Sequence, residues 1–183
     1  MPYTRNDHIH NFAAWTASTA ARTSPKCRFK VEVGSQILSN SSLPAYINDY
    51  RDISRAEDFD TRHRELRNEL IQLARVKGLQ FSHGISAKMI NIYLKTIFLR
   101  PNILSEADFK KIHPPIDKVL LEGLAKAAND NNDINEKRKW KAHSAKGWSN
   151  YNSDDYELVI SDVKLKCGDH ALWSIEEFWQ GHQ

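Results

Sequence analysis

The chain has 183 residues, of which 40% are hydrophobic, 10% aromatic and 27% charged. Those proportions suit one folded domain with a sizeable core, spanning residues 1–183, and exclude a disordered chain. A formal net charge of +3 permits an anionic partner without requiring one. No apolar run approaches the ~18 residues of a membrane helix. The start Met1-Pro2-Tyr3-Thr4-Arg5 lacks the basic-then-apolar pattern of a signal peptide. The two cysteines, Cys27 and Cys167, have no metal-type spacing and read as free thiols in a reducing cytoplasm.

Residues 8–22 are alanine-rich, with Phe12, Trp15 and Ala20 near one face, the pattern of an amphipathic helix capped by Asn6 or Asp7. Ser24-Pro25 breaks it. Residues 26–38 read two ways. Cys27, Phe29, Val31 and Val33 alternate as in a strand, whereas Phe29, Val33 and Ile37 have helical spacing. Helix is favoured, because the chain offers no convincing partner strand. After a loop at 40–44, residues 45–53 predict a short helix. Residues 61–76 predict a longer one, with Leu66, Leu70, Leu73 and Ala74 in register. A tight turn at His83-Gly84-Ile85, with Ser86 as N-cap, then feeds a helix so apolar that it must be largely enclosed. Arg100-Pro101 ends that helix, so the helix–hairpin–helix unit spans about residues 61–100.

Residues 102–112 connect, with a short helix started at Ser105. A further helix is expected from His113 to about Lys126, with Pro115 in its first turn and Ile116, Val119, Leu120 and Leu124 as its buried stripe. Gly123 weakens it by roughly 1 kcal/mol relative to alanine. Residues 129–147 are polar and hold Lys137, Arg138, Lys139, Lys141 and Lys146, which reads as a loop or a mobile basic insertion. Helices follow at 154–164, capped by Ser153, and at 171–179, where Trp173, Phe178 and Trp179 clamp the end onto the core. The fold class is all-α, a compact helical protein around the central hairpin unit.

The histidines show no ligand spacing, so no metal and no cofactor is expected. No Gly-x-Ser-x-Gly turn or phosphate-cradling glycine loop is present. The turn His83-Gly84-Ile85-Ser86 either merely joins two helices or points backbone N–H groups at a phosphate. Lys88, among apolar neighbours, is either a surface lysine or a nucleophilic amine. Asp117 and His113 flank the next helix start, either as dipole partners or as catalytic groups aimed at a cleft. Asp60 and His63, three apart, form a local polar pair or a second polar cluster at that cleft.

The run Gly84-Ile85-Ser86-Ala87-Lys88, followed by Met89-Ile90-Asn91-Ile92-Tyr93-Leu94, resembles the hairpin and following helix of helix-hairpin-helix DNA glycosylases of the endonuclease III type. The likeness covers about residues 66–124, a third of the chain. Ser86 stands where the family has its second hairpin glycine. His113 stands at the family's aspartate position, with Asp117 one helical turn further on. No cysteine cluster for an iron–sulfur centre is present. The resemblance implies a two-lobed all-α protein that binds duplex DNA through the hairpin and extrudes a modified or damaged nucleotide into the cleft. It implies Lys88 as nucleophile and Asp117 or His113 as polar partner, with Lys137, Arg138 and Lys139 gripping the phosphate backbone in a salt-dependent manner. The alternative is a catalytically inert DNA-binding, interaction or host-defence module on the same helical scaffold.

Overall fold

In the computed structural model, which describes residues 2–22, 24, 26–48, 58–98 and 110–181, every regular element is helical. Thr4 starts α1 (Arg5–Ala21) in a reciprocal box: its side chain accepts from Asp7 N–H while the Asp7 carboxylate takes Thr4 N–H. Next come α2 (Val31–Ser39), α3 (Ala45–Asn48) and α4 (Phe59–Val76), the last capped by Asp58. The chain reverses at Gly78 (φ 73°) and enters α5 (His83–Phe98). Then follow α6 (Lys118–Asp130), α7 (Ile134–Lys146), a 3-10 turn at Trp148–Asn150, α8 (Ser153–Cys167) and a 3-10 segment at Leu172–Phe178.

Among the described residues, two hydrophobic clusters result. One joins α1, α2 and α4 to α5 through residues such as Ala13, Ala17, Ile37, Leu66, Leu70, Ile85, Ile90 and Leu94. The other joins α6, α7, α8 and the C-terminal 3-10 segment, with Leu120, Leu124, Trp140, Val159, Val163 and Ile175, and takes Ala87 from α5. α5 is therefore sandwiched, which explains why its apolar residues cover more than one face. Trp148 packs against both clusters.

Two helical glycines permit backbone-on-backbone packing. A Cβ on Gly84 would sit 1.7 Å from the Trp148 carbonyl oxygen, and one on Gly123 would sit 1.9 Å from that of Phe178. Gly123 is thus a contact point for the C-terminal segment rather than a weak spot in α6.

Several expectations need correction. α1 buries Ala13, Ala14, Ala17, Ser18 and Ala21, while Phe12 and Trp15 are exposed and stack on each other at 6.1 Å. Residues 129–147 are no loop: they complete α6 and form α7, which Asp133 caps by accepting from Glu136 N–H and which buries Trp140 completely. Residues 26–38 become helix only from Val31. His113 to Ile116 precede α6, whose N-cap is Asp117. Asn152, not Ser153, caps α8. At the end, Leu172 and Ile175 are the buried anchors, while Trp173 is exposed. The stop at Arg100-Pro101, the helix from Ser105 and the 49–53 part of the short helix lie outside the described residues.

Candidate active site

The first turn of α5 is not an open hairpin. Ser82 caps it, donating its hydroxyl to Ser149 O (2.8 Å) while accepting from Ile85 N–H (3.1 Å). The Ser86 amide bonds Ser82 O, and the Gly84 amide bonds Tyr151 O at 3.3 Å. Gly84, Ile85 and Ser86 are buried and His83 is half-buried. The predicted phosphate cradle therefore has its amides committed and is covered by the segment 148–151. The cap is Ser82, four residues before the expected Ser86, so the residues expected to form an open turn are instead the packed first turn of α5.

Lys88 and Asp117 do come together. Lys88 lies on α5, and its Nζ stands 3.2 Å from Asp117 Oδ2, with both side chains mostly buried. It also sits 4.5 Å from the centre of the Trp148 ring, a cation–π contact. Asp117 does several things at once. Its Oδ1 accepts from Leu120 N–H at 3.0 Å, completing the N-cap of α6, and from Trp179 Nε1–H at 3.2 Å. Both residues line a cleft of about 490 Å³ with Thr16 and Ala20 of α1, Ile92, Lys95 and Thr96 of α5, Pro115, Glu176 and Trp179. Lys95 and Glu176 form a second ion pair on its wall. Chemically, the cleft offers a primary amine beside a carboxylate, an indole N–H and apolar walls.

α6 leads away from this cleft, and along it runs a basic groove of about 780 Å³ between α6 and α7. Among the described residues, Lys118, Lys126, Lys137 and Lys141 line it against the single carboxylate of Glu122. Of the predicted basic contacts, Lys137 faces this groove and Arg138 lies with Lys137 and Lys141 on an adjoining hollow. Lys139 does not join them; it pairs with Asp162 at 3.1 Å on the other side of α7.

His113 is separated from Lys88. It is buried in a polar cluster, bonding Asp60 Oδ1 through Nε2 (2.9 Å) and the Tyr156 hydroxyl through Nδ1 (3.1 Å). Asn91 ties this cluster to α5: its Nδ2 donates to Pro114 O (2.9 Å) and Tyr156 Oη (3.0 Å), and its Oδ1 meets His63 Nε2 (2.7 Å). Asp60 and His63 are thus not each other's partners, but both belong to the cluster. Burial pushes the His63 and His113 imidazoles down and the Tyr156 phenol up. The hydrogen bond from His113 holds the Asp60 carboxyl well below the usual carboxylate range, and the Lys164 bond adds to it. The sequence did carry a signal for this cluster. Asp60, His63 and Arg67 share one face of α4, and Asn91 is a lone amide in an apolar helix.

Among the described residues, no group of three or more His, Cys, Asp or Glu side chains is placed to hold a metal ion, and no helix is long and apolar enough to cross a membrane. Compared with known proteins, the chain matches no family model, no curated protein and no solved structure.

Proposed function

We propose that the chain is a DNA glycosylase with abasic-site lyase activity, working from the Lys88–Asp117 cleft. The observation that carries this reading is the 3.2 Å approach of the Lys88 amine to the Asp117 carboxylate inside a cleft of about 490 Å³. In this reading Asp117 takes a proton from the Lys88 ammonium, and the freed lone pair bonds the sugar C1′ as the glycosidic C–N bond breaks. The base leaves with that electron pair and takes the proton from Asp117. The surplus proton on the lysine nitrogen then passes to O4′ as the C1′–O4′ bond opens, leaving an iminium on Lys88. Asp117, a carboxylate again, takes a C2′ proton as the C3′–O bond breaks and the phosphate leaves, and water then hydrolyses the iminium to free Lys88.

Duplex DNA in this reading tracks the α6–α7 groove and not the start of α5. The groove begins at Lys118, one residue past Asp117, and sets four lysines against one carboxylate. Each phosphate so neutralised releases counterions, so binding falls steeply with salt. The test is incubation with duplexes carrying an abasic site or a modified base, followed by strand analysis. The reading expects a nicked or alkali-labile product from at least one of them, and binding that weakens by about tenfold or more when salt rises from 50 to 200 mM. No product and no salt-dependent binding would remove it.

A second reading, the inert DNA-binding module, is favoured by one observation. Asp117 already has Leu120 N–H, Trp179 Nε1–H and Lys88 as partners, a set that a purely structural N-cap would use. It expects the same salt-dependent binding with no product from any duplex.

A further inference from the structure

Behind the His113 cluster lies a cavity of about 200 Å³ between α4 and α8, separate from the Lys88 cleft. Its floor is made of buried polar groups, His63 (0% exposed), Arg67 (1%), His113 (3%) and Tyr156 (1%). The half-exposed Asp60, Arg64 and Lys164 stand at its mouth. Sites for drug-sized molecules usually exceed about 300 Å³, so this one suits a compact ligand.

The hydrogen-bond network fixes what the floor still offers. Asn91 Nδ2 donates to Pro114 O and Tyr156 Oη, so its Oδ1 must accept, and His63 Nε2 must be the donor. His63 Nδ1 is then a bare lone pair. It is buried and has no partner. Arg67 lies over the Tyr156 ring at 4.4 Å, and its Nη2 donates to Glu157 Oε1 at 3.0 Å and to Ser153 Oγ at 3.4 Å. Its Nε and Nη1 are buried with no acceptor. Leaving such groups unsatisfied is costly, more so when they carry charge.

The charges around the cavity lean positive. Among the described residues lining it, Arg64, Arg67 and Lys164 face the carboxylates of Asp60 and Glu157, three cations against two anions. Both carboxylates are already engaged: Asp60 by His113 and Lys164, and Glu157 by Arg64, Arg67 and Ser153.

The geometry points to a binding site for hydrogen phosphate, an anion whose oxygens accept from Arg67 and whose remaining O–H donates to the bare Nδ1 of His63. That pairing of donors and one acceptor is selective. Sulfate carries no proton at neutral pH. A phosphomonoester has its second pKa near 6, so above that it too is mostly without one. Both would leave the His63 lone pair facing anionic oxygen.

Calorimetric titration of the full chain at pH 7.5 tests the site, with inorganic phosphate, sulfate and methyl phosphate at matched ionic strength. Saturable phosphate binding is expected, about tenfold or more tighter than sulfate or methyl phosphate. His63→Phe keeps a ring stacked on Tyr156 and removes the acceptor, so the preference for phosphate over sulfate should collapse. Arg64→Ala, at the mouth, should weaken both anions without touching the floor, and Lys88→Ala should leave phosphate binding as it was. The proposal is overturned by any of three results: no saturable phosphate binding, meaning the floor is satisfied by water alone; equal affinity for phosphate and sulfate or methyl phosphate; or phosphate binding indifferent to both His63→Phe and Arg64→Ala.

Discussion

Asp117 joins two roles that one substitution can separate. Asparagine is as good an N-cap as aspartate, so Asp117→Asn keeps the bond from Leu120 N–H and removes only the charge beside Lys88. Alanine removes both and leaves the mostly buried Lys88 without its carboxylate. Asp117→Ala is therefore expected to cost about 2–4 kcal/mol in urea unfolding and Asp117→Asn clearly less. Both should abolish turnover if the proposed chemistry holds. Gly84 is the other residue on which the site depends. Because an added Cβ would fall 1.7 Å from the Trp148 carbonyl oxygen, Gly84→Ala forces the segment 148–151 off α5. A loss of about 3 kcal/mol or more is expected, read as a lowered melting temperature, where helix propensity alone would give a gain of up to about 1 kcal/mol. At this scale the sequence was partly legible. The lysine and the aspartate lie on elements that pattern alone recognises, and their closeness follows from how α5 and α6 pack. The partners Trp148 and Trp179 were not legible as such, because nothing local says which backbone a distant aromatic residue will meet.

Helix α7 shows where hydrophobic periodicity runs out. Its 13 residues bury one large side chain, Trp140, and the rest is polar or small apart from the exposed Ile134. A period needs repeated apolar positions, so the stretch reads as loop. What makes it helical is capping by Asp133 together with Trp140 filling the core against α6 and α8. Trp140→Ala is accordingly expected to cost about 3–5 kcal/mol, measured by denaturant midpoint. A surface tryptophan in a mobile loop would cost almost nothing. α1 errs in the opposite direction. Its large residues Phe12 and Trp15 face solvent, and its small ones face α5, because close helix packing selects alanines. Size misled the reading where shape decided. For Trp15→Ala the expected change in stability is within about 0.5 kcal/mol. The long, strongly periodic α4, α5 and α6 were legible as helices, with their N-terminal boundaries displaced by the caps that Asp58, Ser82 and Asp117 provide.

In the whole molecule two hydrophobic clusters meet across α5, and a polar layer of Asn91, His63, His113 and Tyr156 is buried on its way to the surface at Asp60. That layer gives the fold an acid-sensitive term. Burial lowers the His63 and His113 values in the folded state, so the unfolded chain binds more protons once pH falls below about 6.5. Stability from these two groups is complete above that pH and is lost as pH falls towards their lowered folded values. Each contributes up to about 1.4 kcal/mol per pH unit, so unfolding free energy should fall between pH 7 and pH 5, by at most about 4 kcal/mol. Urea titrations at the two pH values check this, and a flat profile would mean that the imidazoles are not held neutral. The helical architecture was thus legible from pattern, while of the polar layer only the α4 face with Asp60 and His63 and the lone Asn91 were signalled; their meeting with His113 and Tyr156 was not, since those come from the segment before α6 and from α8. The most direct test of the proposed chemistry is borohydride trapping on duplexes carrying an abasic site. The account predicts a covalent protein–DNA band, mapping by mass to Lys88 and missing in Lys88→Ala, whose duplex binding stays within a few-fold of wild type. Absence of any band from the wild-type chain, or a band that survives Lys88→Ala, would contradict it.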